Sequence, residues 1–202
     1  MVTEDRIGRE LRRYQLAMRM VAHEARTQTI CDFTGLTRER TKTLRREWSV
    51  APEARHRGPS PTSLALFFRS ARIRSEASSL AVFCRILGVI SSARIVDAAR
   101  VLPSLDCGER LCEVFEAYRT YFPKSEISFE QIVLLATALA QGDVLALGNC
   151  ASCGGIILMD QLAVGRKLCS HCHRNSDPDP LGSASSGGGP EDVDETTEKG
   201  SE

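Results

Sequence analysis

Two pairs of cysteines near the carboxyl end of the chain have the spacing of a metal site. Cys150 and Cys153 enclose two residues, Cys169 and Cys172 do the same, and fifteen residues separate the pairs. A two-residue insert lets both thiolates of a pair reach one ion, and two such pairs complete a tetrahedron. The sequence therefore predicts one structural Zn²⁺ held by these four cysteines, with no open position for catalysis.

Other interpretations of these cysteines remain open. His171 or His173 could replace one thiolate as a ligand, and the two pairs could instead be redox-active or free thiols. Gly154 and Gly155 favour the metal site, because glycine permits the tight turn that brings backbone amides toward the sulfurs. The apolar run at 156–159 then predicts a strand of a small ribbon. The remaining cysteines have apolar neighbours and are expected to be buried small hydrophobic residues: Cys31, Cys84, Cys107 and Cys112.

A basic segment in the first half of the chain could bind nucleic acid. Gly35 breaks the preceding pattern, and Thr37 is a suitable N-cap for a helix from Arg38 to Trp48. Two helices joined by a short glycine-containing turn, the second of them basic, form a helix-turn-helix pattern. Recognition helices contact bases near their start, so Arg38 and Arg40 are predicted there. The predicted phosphate contacts are Lys42, Arg45 and Arg46. A charged face that is simply solvated is the other interpretation.

The charges are unevenly distributed, although 26 basic and 26 acidic side chains give a net charge of zero. Residues 1–100 have a net charge of +9, residues 101–176 of −2, and residues 177–202 of −7. A basic first half indicates a polyanionic partner, and an acidic tail rich in Pro, Gly and Ser indicates disorder. No phosphate-binding glycine loop, G-x-S-x-G or His-Glu metal motif is present, so we expect no enzymatic activity.

The chain shows no secretory signal and no stretch long enough to span a bilayer. The residues from Glu4 to Arg13 are dense in charge, and the most apolar charge-free stretch covers only 131–142. We therefore expect a cytoplasmic protein with no membrane association. In a reducing cytosol, paired cysteines are more often metal ligands than disulfides.

The elements that position these groups are predicted to be mainly α-helical. An apolar stripe at every third or fourth residue runs along the first helix: Ile7, Leu11, Tyr14, Met18, Val21 and Ala25. This stripe predicts either packing inside the domain or docking on a partner subunit. A third helix is predicted over 64–87 with a bend near Arg74 and Ser75, and a fourth after Ser91 or Ser92.

The sequence predicts two further helices before the cysteine pairs. The fifth helix ends before Pro123, and Ser128 with Gln131 forms a capping box for a sixth, which extends to about Gln141. The predicted fold is a helical domain with a helix-turn-helix-like N-terminal part and a small C-terminal four-cysteine zinc ribbon. The predicted units are a helical DNA- or partner-binding part at 1–48, a proline-rich connector at 49–63, a helical core at 64–147, the ribbon at 148–176 and the acidic tail at 177–202.

Several segments in order resemble the FlhC family, the larger subunit of the flagellar transcription regulator FlhDC. The resemblance covers residues 5–175 by ordered landmarks rather than continuous identity. These landmarks are Tyr14-Gln-Leu-Ala-Met18, Glu24-Ala-Arg26, Thr34-Gly-Leu-Thr-Arg-Glu-Arg40, Gly58-Pro-Ser-Pro61, Ala117-Tyr-Arg-Thr-Tyr121 and the two cysteine pairs. The family usually has tryptophans after the connector and a basic tail, so the resemblance is to a divergent member.

The resemblance implies a function as well as a fold. It implies a zinc-containing transcriptional activator that forms a hetero-oligomer, a heterohexamer in the family, with the small helical subunit FlhD. Such a complex binds promoter DNA of flagellar or related operons and recruits RNA polymerase. By position, the four cysteines of the two pairs would be the zinc ligands. The other possibility for the function is a partner-binding adaptor without DNA binding of its own, and a thiol oxidoreductase is a third.

Overall fold

The computed structural model describes residues 2–48, 60–90 and 103–175, with backbone alone for residues 2–5. Most of these residues are helical, and a small hairpin with four clustered cysteines lies at the carboxyl end, as the sequence predicted. The helices are α1 (Val2–Ala22), α2 (Thr27–Thr34), α3 (Arg38–Glu47), α4 (Ala71–Ile86), α5 (Leu105–Tyr121), α6 (Phe129–Gln141) and α7 (Ser170–Arg174). The hairpin strands are β1 (Leu145–Asn149) and β2 (Ile156–Asp160).

Several helix boundaries follow from capping residues in the sequence. Thr37 accepts a hydrogen bond from the Arg40 amide at the start of α3, as predicted. At the start of α6, Ser128 and Gln131 form the predicted capping box, each side chain bonding to the other residue's backbone amide. The starts of α3 and α6 are therefore set by local hydrogen bonds.

The predicted helix over 64–87 is divided, but not where the sequence indicated. Leu64–Phe68 forms a 3₁₀ helix, and α4 begins only after Ser70, whose hydroxyl accepts a hydrogen bond from the Ile73 amide. Arg74 and Ser75 lie inside α4 without a break. The predicted bend was wrong because a serine N-cap four residues earlier fixes the start of the helix.

One core joins the helices to the hairpin. Side chains from five helices and both strands are fully buried in it, including Leu16, Ile30, Leu80, Tyr118, Leu135, Leu145 and Leu158. Salt bridges add to the contact between α1 and α5, where Arg12 pairs with Glu109 at 2.5 Å and Arg19 with Glu116 at 2.8 Å. The α1–α5 pair thus neutralises part of the basic charge of the first half.

The apolar stripe of α1 is divided between the core and the surface. Val21 and Ala25 are buried, whereas Ile7, Leu11 and Met18 are 68%, 56% and 48% exposed. The prediction that the stripe packs inside the domain is therefore correct only for its carboxyl-terminal part. The helix instead buries a neighbouring face that includes Leu16, Ala17 and Met20.

The hairpin is continuous with the helical core rather than separate from it. The strands pair antiparallel with Leu147 opposite Leu158, and the Leu158 amide donates to the Ser78 hydroxyl of α4 at 3.0 Å. Strand β1 was not predicted, and the expected boundary between residues 147 and 148 falls inside it.

Some expectations lie outside the described residues. They are residues 49–59 of the connector predicted over 49–63, the helix after Ser91 or Ser92, and the acidic tail from 177 onward. Within the described ranges, none of the helices is both long and apolar enough to cross a bilayer.

Candidate metal centre and basic helix

Four cysteine sulfurs meet beside the turn that joins the two strands of the hairpin. The Sγ atoms of Cys150, Cys153, Cys169 and Cys172 all lie within 4.8 Å of one another. The Sγ atoms of Cys153 and Cys169 are 3.8 Å apart. A tetrahedral ion with metal–sulfur bonds of about 2.3 Å requires sulfurs about 3.8 Å apart, so the cluster fits a four-thiolate metal site.

Two tight turns place these sulfurs. The Cys150 amide donates to the Gly155 carbonyl at 2.8 Å, and the Gly154 amide donates to the Cys150 carbonyl at 2.9 Å. Gly154 has a φ of 72°, the left-handed conformation that glycine adopts at low cost. The second pair lies at the start of α7, where the Cys172 amide donates to the Cys169 sulfur at 3.3 Å. The position of the two sulfurs in each pair thus follows from the local turn that the two-residue insert permits.

The backbone around the cluster favours thiolates. Amides of Cys153, Cys169 and Ser152 donate toward the Cys150 sulfur and lower the pKa of that thiol to about 6. The amide of Cys172 lowers the pKa of Cys169 in the same way. Thiolate is the form that binds metals, so these turns prepare the ligands.

Negative charge accumulates where the sulfurs meet. The Ser152 hydroxyl lowers the pKa of Cys172, but the neighbouring sulfurs and burial outweigh it and raise the pKa to about 12. In the absence of a cation, deprotonation of Cys172 beside the other sulfurs is therefore unfavourable. A divalent cation would relieve that repulsion, which is the electrostatic condition expected of a metal site.

The other cysteines differ from the cluster. Cys84 and Cys112 are fully buried, and burial raises the pKa of each thiol to about 12. Cys107 is 6% exposed, with a pKa raised by burial to about 11. These three are buried small hydrophobic residues, as predicted, whereas Cys31 is only half-buried near the Thr41 hydroxyl. His171 lies outside the sulfur group and contacts the Asn175 amide at 3.3 Å.

The basic segment forms two helices joined by a three-residue turn. Gly35 ends α2 with a φ of 68° and donates its amide to the Cys31 carbonyl at 2.8 Å. Leu36 is buried in the turn, and Thr37 then caps α3. A turn of three or four residues with a glycine is typical of helix-turn-helix motifs.

Four of the five predicted contact residues on α3 are exposed. They are Arg38, Arg40, Lys42 and Arg46. Arg38 donates to the side chain of Gln28, and Arg40 donates to the Tyr14 hydroxyl at 2.7 Å. Lys42 pairs with Glu39 at 2.8 Å. These three side chains are exposed and therefore accessible to an external anion.

Arg45 corrects the sequence-based prediction of a phosphate contact. Its side chain is 7% exposed, and its guanidinium donates to the Ala25 carbonyl at the end of the segment that follows α1. It points inward because it lies one residue after Leu44, on the face of α3 that packs on the core. Arg45 therefore anchors α3 to the domain and is withdrawn from the predicted nucleic-acid contacts.

No family model and no curated protein matches the chain. The four-cysteine cluster and the α2–turn–α3 unit are the features of the chain that bear on its function.

Proposed function

We propose that the protein is a zinc-containing, DNA-binding transcriptional activator that works in a hetero-oligomer with an FlhD-like subunit. The observation that carries the proposal is the α2–turn–α3 unit, with its left-handed Gly35, its capped second helix and its exposed basic side chains. In this unit α3 is the recognition helix, and its outer face enters the major groove.

The charges of α3 support an anionic partner. Arg38 and Arg40 lie in its first turn, where cations interact unfavourably with the helix dipole. A phosphate or a base edge near these guanidinium groups would offset that cost. Lys42 and Arg46 lie farther along the exposed side and suit phosphate contacts.

The role proposed for the four cysteines is structural zinc binding. Zinc and iron both take tetrahedral sulfur sites, and a mononuclear four-cysteine site with this spacing is typical of zinc. Four thiolates leave no open coordination position for catalysis, so the ion would supply stability to the hairpin. Under this proposal the C-x-x-C pairs are ligands rather than redox thiols.

The exposed part of the α1 stripe is the proposed contact with the FlhD-like subunit. Ile7, Leu11 and Met18 follow one another at intervals of four and seven residues and are largely exposed. A helix with a similar stripe would bury them in the manner of a coiled coil. The same surface favours a second candidate function, an adaptor that binds its partner but has no DNA affinity of its own.

Recruitment of RNA polymerase, flagellar or related target operons and a cytoplasmic location are the remaining parts of the proposal. They are supported only by the ordered sequence landmarks shared with FlhC.

Fluorescence anisotropy of the zinc-loaded chain with labelled DNA separates the two functions. A flagellar-type promoter fragment and a scrambled duplex are titrated with and without an FlhD subunit at physiological salt. The proposal predicts promoter-selective binding that strengthens when FlhD is added. Binding of FlhD without any DNA affinity beyond that of FlhD alone would instead identify an adaptor. No selectivity and no FlhD binding would contradict both.

A further inference from the structure

A cavity of about 410 Å³ lies between α4, the end of α5, strand β2 and the start of α7. It opens to solvent, and none of the functions considered above uses it. Its volume falls within the range of small-molecule binding sites in proteins. The side chains that line it differ in character along its length.

Helix α4 gives the cavity a polar end and an apolar end. Its lining residues run from Arg74 and Ser75, through Ser78 and Ser79, to Val82 and Phe83. The ten residues from Arg74 to Phe83 span about 14 Å of helix, so the change in polarity occurs over the length of a small amphipathic molecule. At the apolar end the ring of Tyr121 stacks on Phe83 at 5.7 Å, and Phe122 also lines the cavity.

Three of the four serine hydroxyls that line the cavity already donate hydrogen bonds within the protein. Ser78 donates to the Arg74 carbonyl at 2.8 Å, and Ser79 donates to the Ser75 carbonyl at 3.3 Å. Ser170, on the opposite wall, donates to the Ala71 carbonyl at 3.0 Å. These hydroxyls can accept hydrogen bonds from a ligand, but they are not the donors that an anion needs.

Arg74 is the one cation among the residues that line the cavity, and the Cys169 sulfur, whose thiolate form the Cys172 amide favours, lies in the same lining. The guanidinium of Arg74 lies over the Phe68 ring at 5.6 Å, which holds the side chain in place. Its buried Nε finds no hydrogen-bond partner among the described residues. Among the described residues no carboxylate forms a salt bridge with Arg74, and an arginine at the polar end of such a cavity is suited to a carboxylate.

We propose that this cavity binds an anionic amphiphile, a monocarboxylate with an apolar chain, whose charged end lies at Arg74 and whose apolar part lies against Val82 and Phe83. The site is distinct from the basic face of α3 and does not depend on the proposed DNA binding. Because Cys169 and Ser170 line the same cavity, a bound molecule would also contact the segment that carries the second cysteine pair.

Isothermal titration calorimetry with decanoate and with decanol tests this site in the full-length, metal-loaded protein. Decanoate is expected to bind one molecule per chain, and decanol about tenfold more weakly because it lacks the charge. Arg74→Gln should reduce decanoate affinity about tenfold and leave decanol unchanged. The matched control is Arg85→Gln, an exposed arginine on the same helix that does not line the cavity, and it should bind both molecules as the wild type does.

A second variant tests the apolar end. Val82→Trp fills the cavity and should abolish binding of both molecules, and Ser79→Phe serves if Val82→Trp fails to fold by circular dichroism. The proposal is overturned if decanoate does not bind, if decanol binds as tightly as decanoate, or if decanoate affinity survives in Arg74→Gln or in the folded filled variant.

Discussion

At the scale of single residues, Glu76 is a charged group that the helical core encloses. It is 5% exposed, yet its carboxylate accepts hydrogen bonds from Ser125 at 2.7 Å, Arg72 at 2.8 Å and Tyr118 at 2.9 Å. Burial raises the pKa of Glu76, but these hydrogen bonds outweigh it and leave the pKa below its usual value. The ionised form therefore joins α4 to α5 and to the loop that follows it.

Glu76→Gln tests this carboxylate through the pH dependence of stability. A lowered pKa means that the stabilisation is complete above the unfolded-state pKa of about 4.3 and is lost as pH falls through the folded-state value. The variant should lose about 1–3 kcal/mol at pH 7, and the difference from wild type should shrink below about pH 4. Urea unfolding at a series of pH values measures it. The exposed Glu113→Gln is the control, and an equal loss at pH 7 and pH 3 would contradict the account.

Cys153→Ser tests the metal site at the same scale. Cys153 is exposed, so the substitution removes a ligand without disturbing the core. The metal content should fall from about one ion per chain toward none, and the hairpin should become sensitive to proteolysis. Mass spectrometry of the purified protein measures the metal. The control is Cys31→Ser, which changes a cysteine outside the cluster and should leave the metal content of the protein unchanged. An unchanged metal content in Cys153→Ser would refute a four-cysteine site.

At the scale of elements, the packing of α5 on α1 and α2 depends on one glycine. A Cβ atom at Gly108 would lie 2.8 Å from the Leu16 Cδ2 and 3.2 Å from the Phe33 Cβ. Both neighbours are buried, so neither can move away freely. Gly8 on α1 has open space around it, since a Cβ there would meet nothing within 4 Å.

These two glycines should respond in opposite ways to alanine. Gly108→Ala forces the helices apart and should cost about 1–3 kcal/mol. Gly8→Ala should gain about 0.5–1 kcal/mol, because alanine loses less backbone entropy than glycine in a helix. Denaturant unfolding of both variants measures the two changes. A Gly108→Ala variant as stable as wild type would show that α5 does not approach so closely.

The elements also show which features a sequence can predict. Thr37, Gly35 and the Ser128–Gln131 box act through hydrogen bonds within a few residues, and the sequence located all of them. Strand β1 was missed because its sequence, Leu-Ala-Leu-Gly-Asn, has no β-branched residue and becomes a strand only by pairing with β2.

At the scale of the whole molecule, the cysteine cluster could be predicted from the sequence. Which side chains are buried and which are exposed could not. Metal-ligand spacing is local to each pair, so four positions were sufficient. The burial of Arg45, the exposure of Ile7 and Leu11, and the cavity at Arg74 depend on which helices pack together. Charge counts alone likewise could not show that Arg12 and Arg19 form salt bridges with glutamates of α5.

The proposed DNA contact is on α3. Its exposed cations lie on a helix held in place by Arg45 and capped by Thr37. A DNA-binding α3 must contribute phosphate contacts, since these contacts dominate the affinity for DNA and its dependence on salt.

The salt dependence of DNA binding by Lys42→Ala/Arg46→Ala tests this requirement most directly. Each lost phosphate contact should weaken binding to all sequences and flatten the slope of log affinity against log salt by about one unit. We expect a slope reduced by about two in the double variant and an unchanged slope in Arg85→Ala, measured by anisotropy between 50 and 200 mM salt, about the range over which such contacts are sensitive. A double variant with wild-type affinity and slope would contradict the assignment of α3 as the DNA-binding helix.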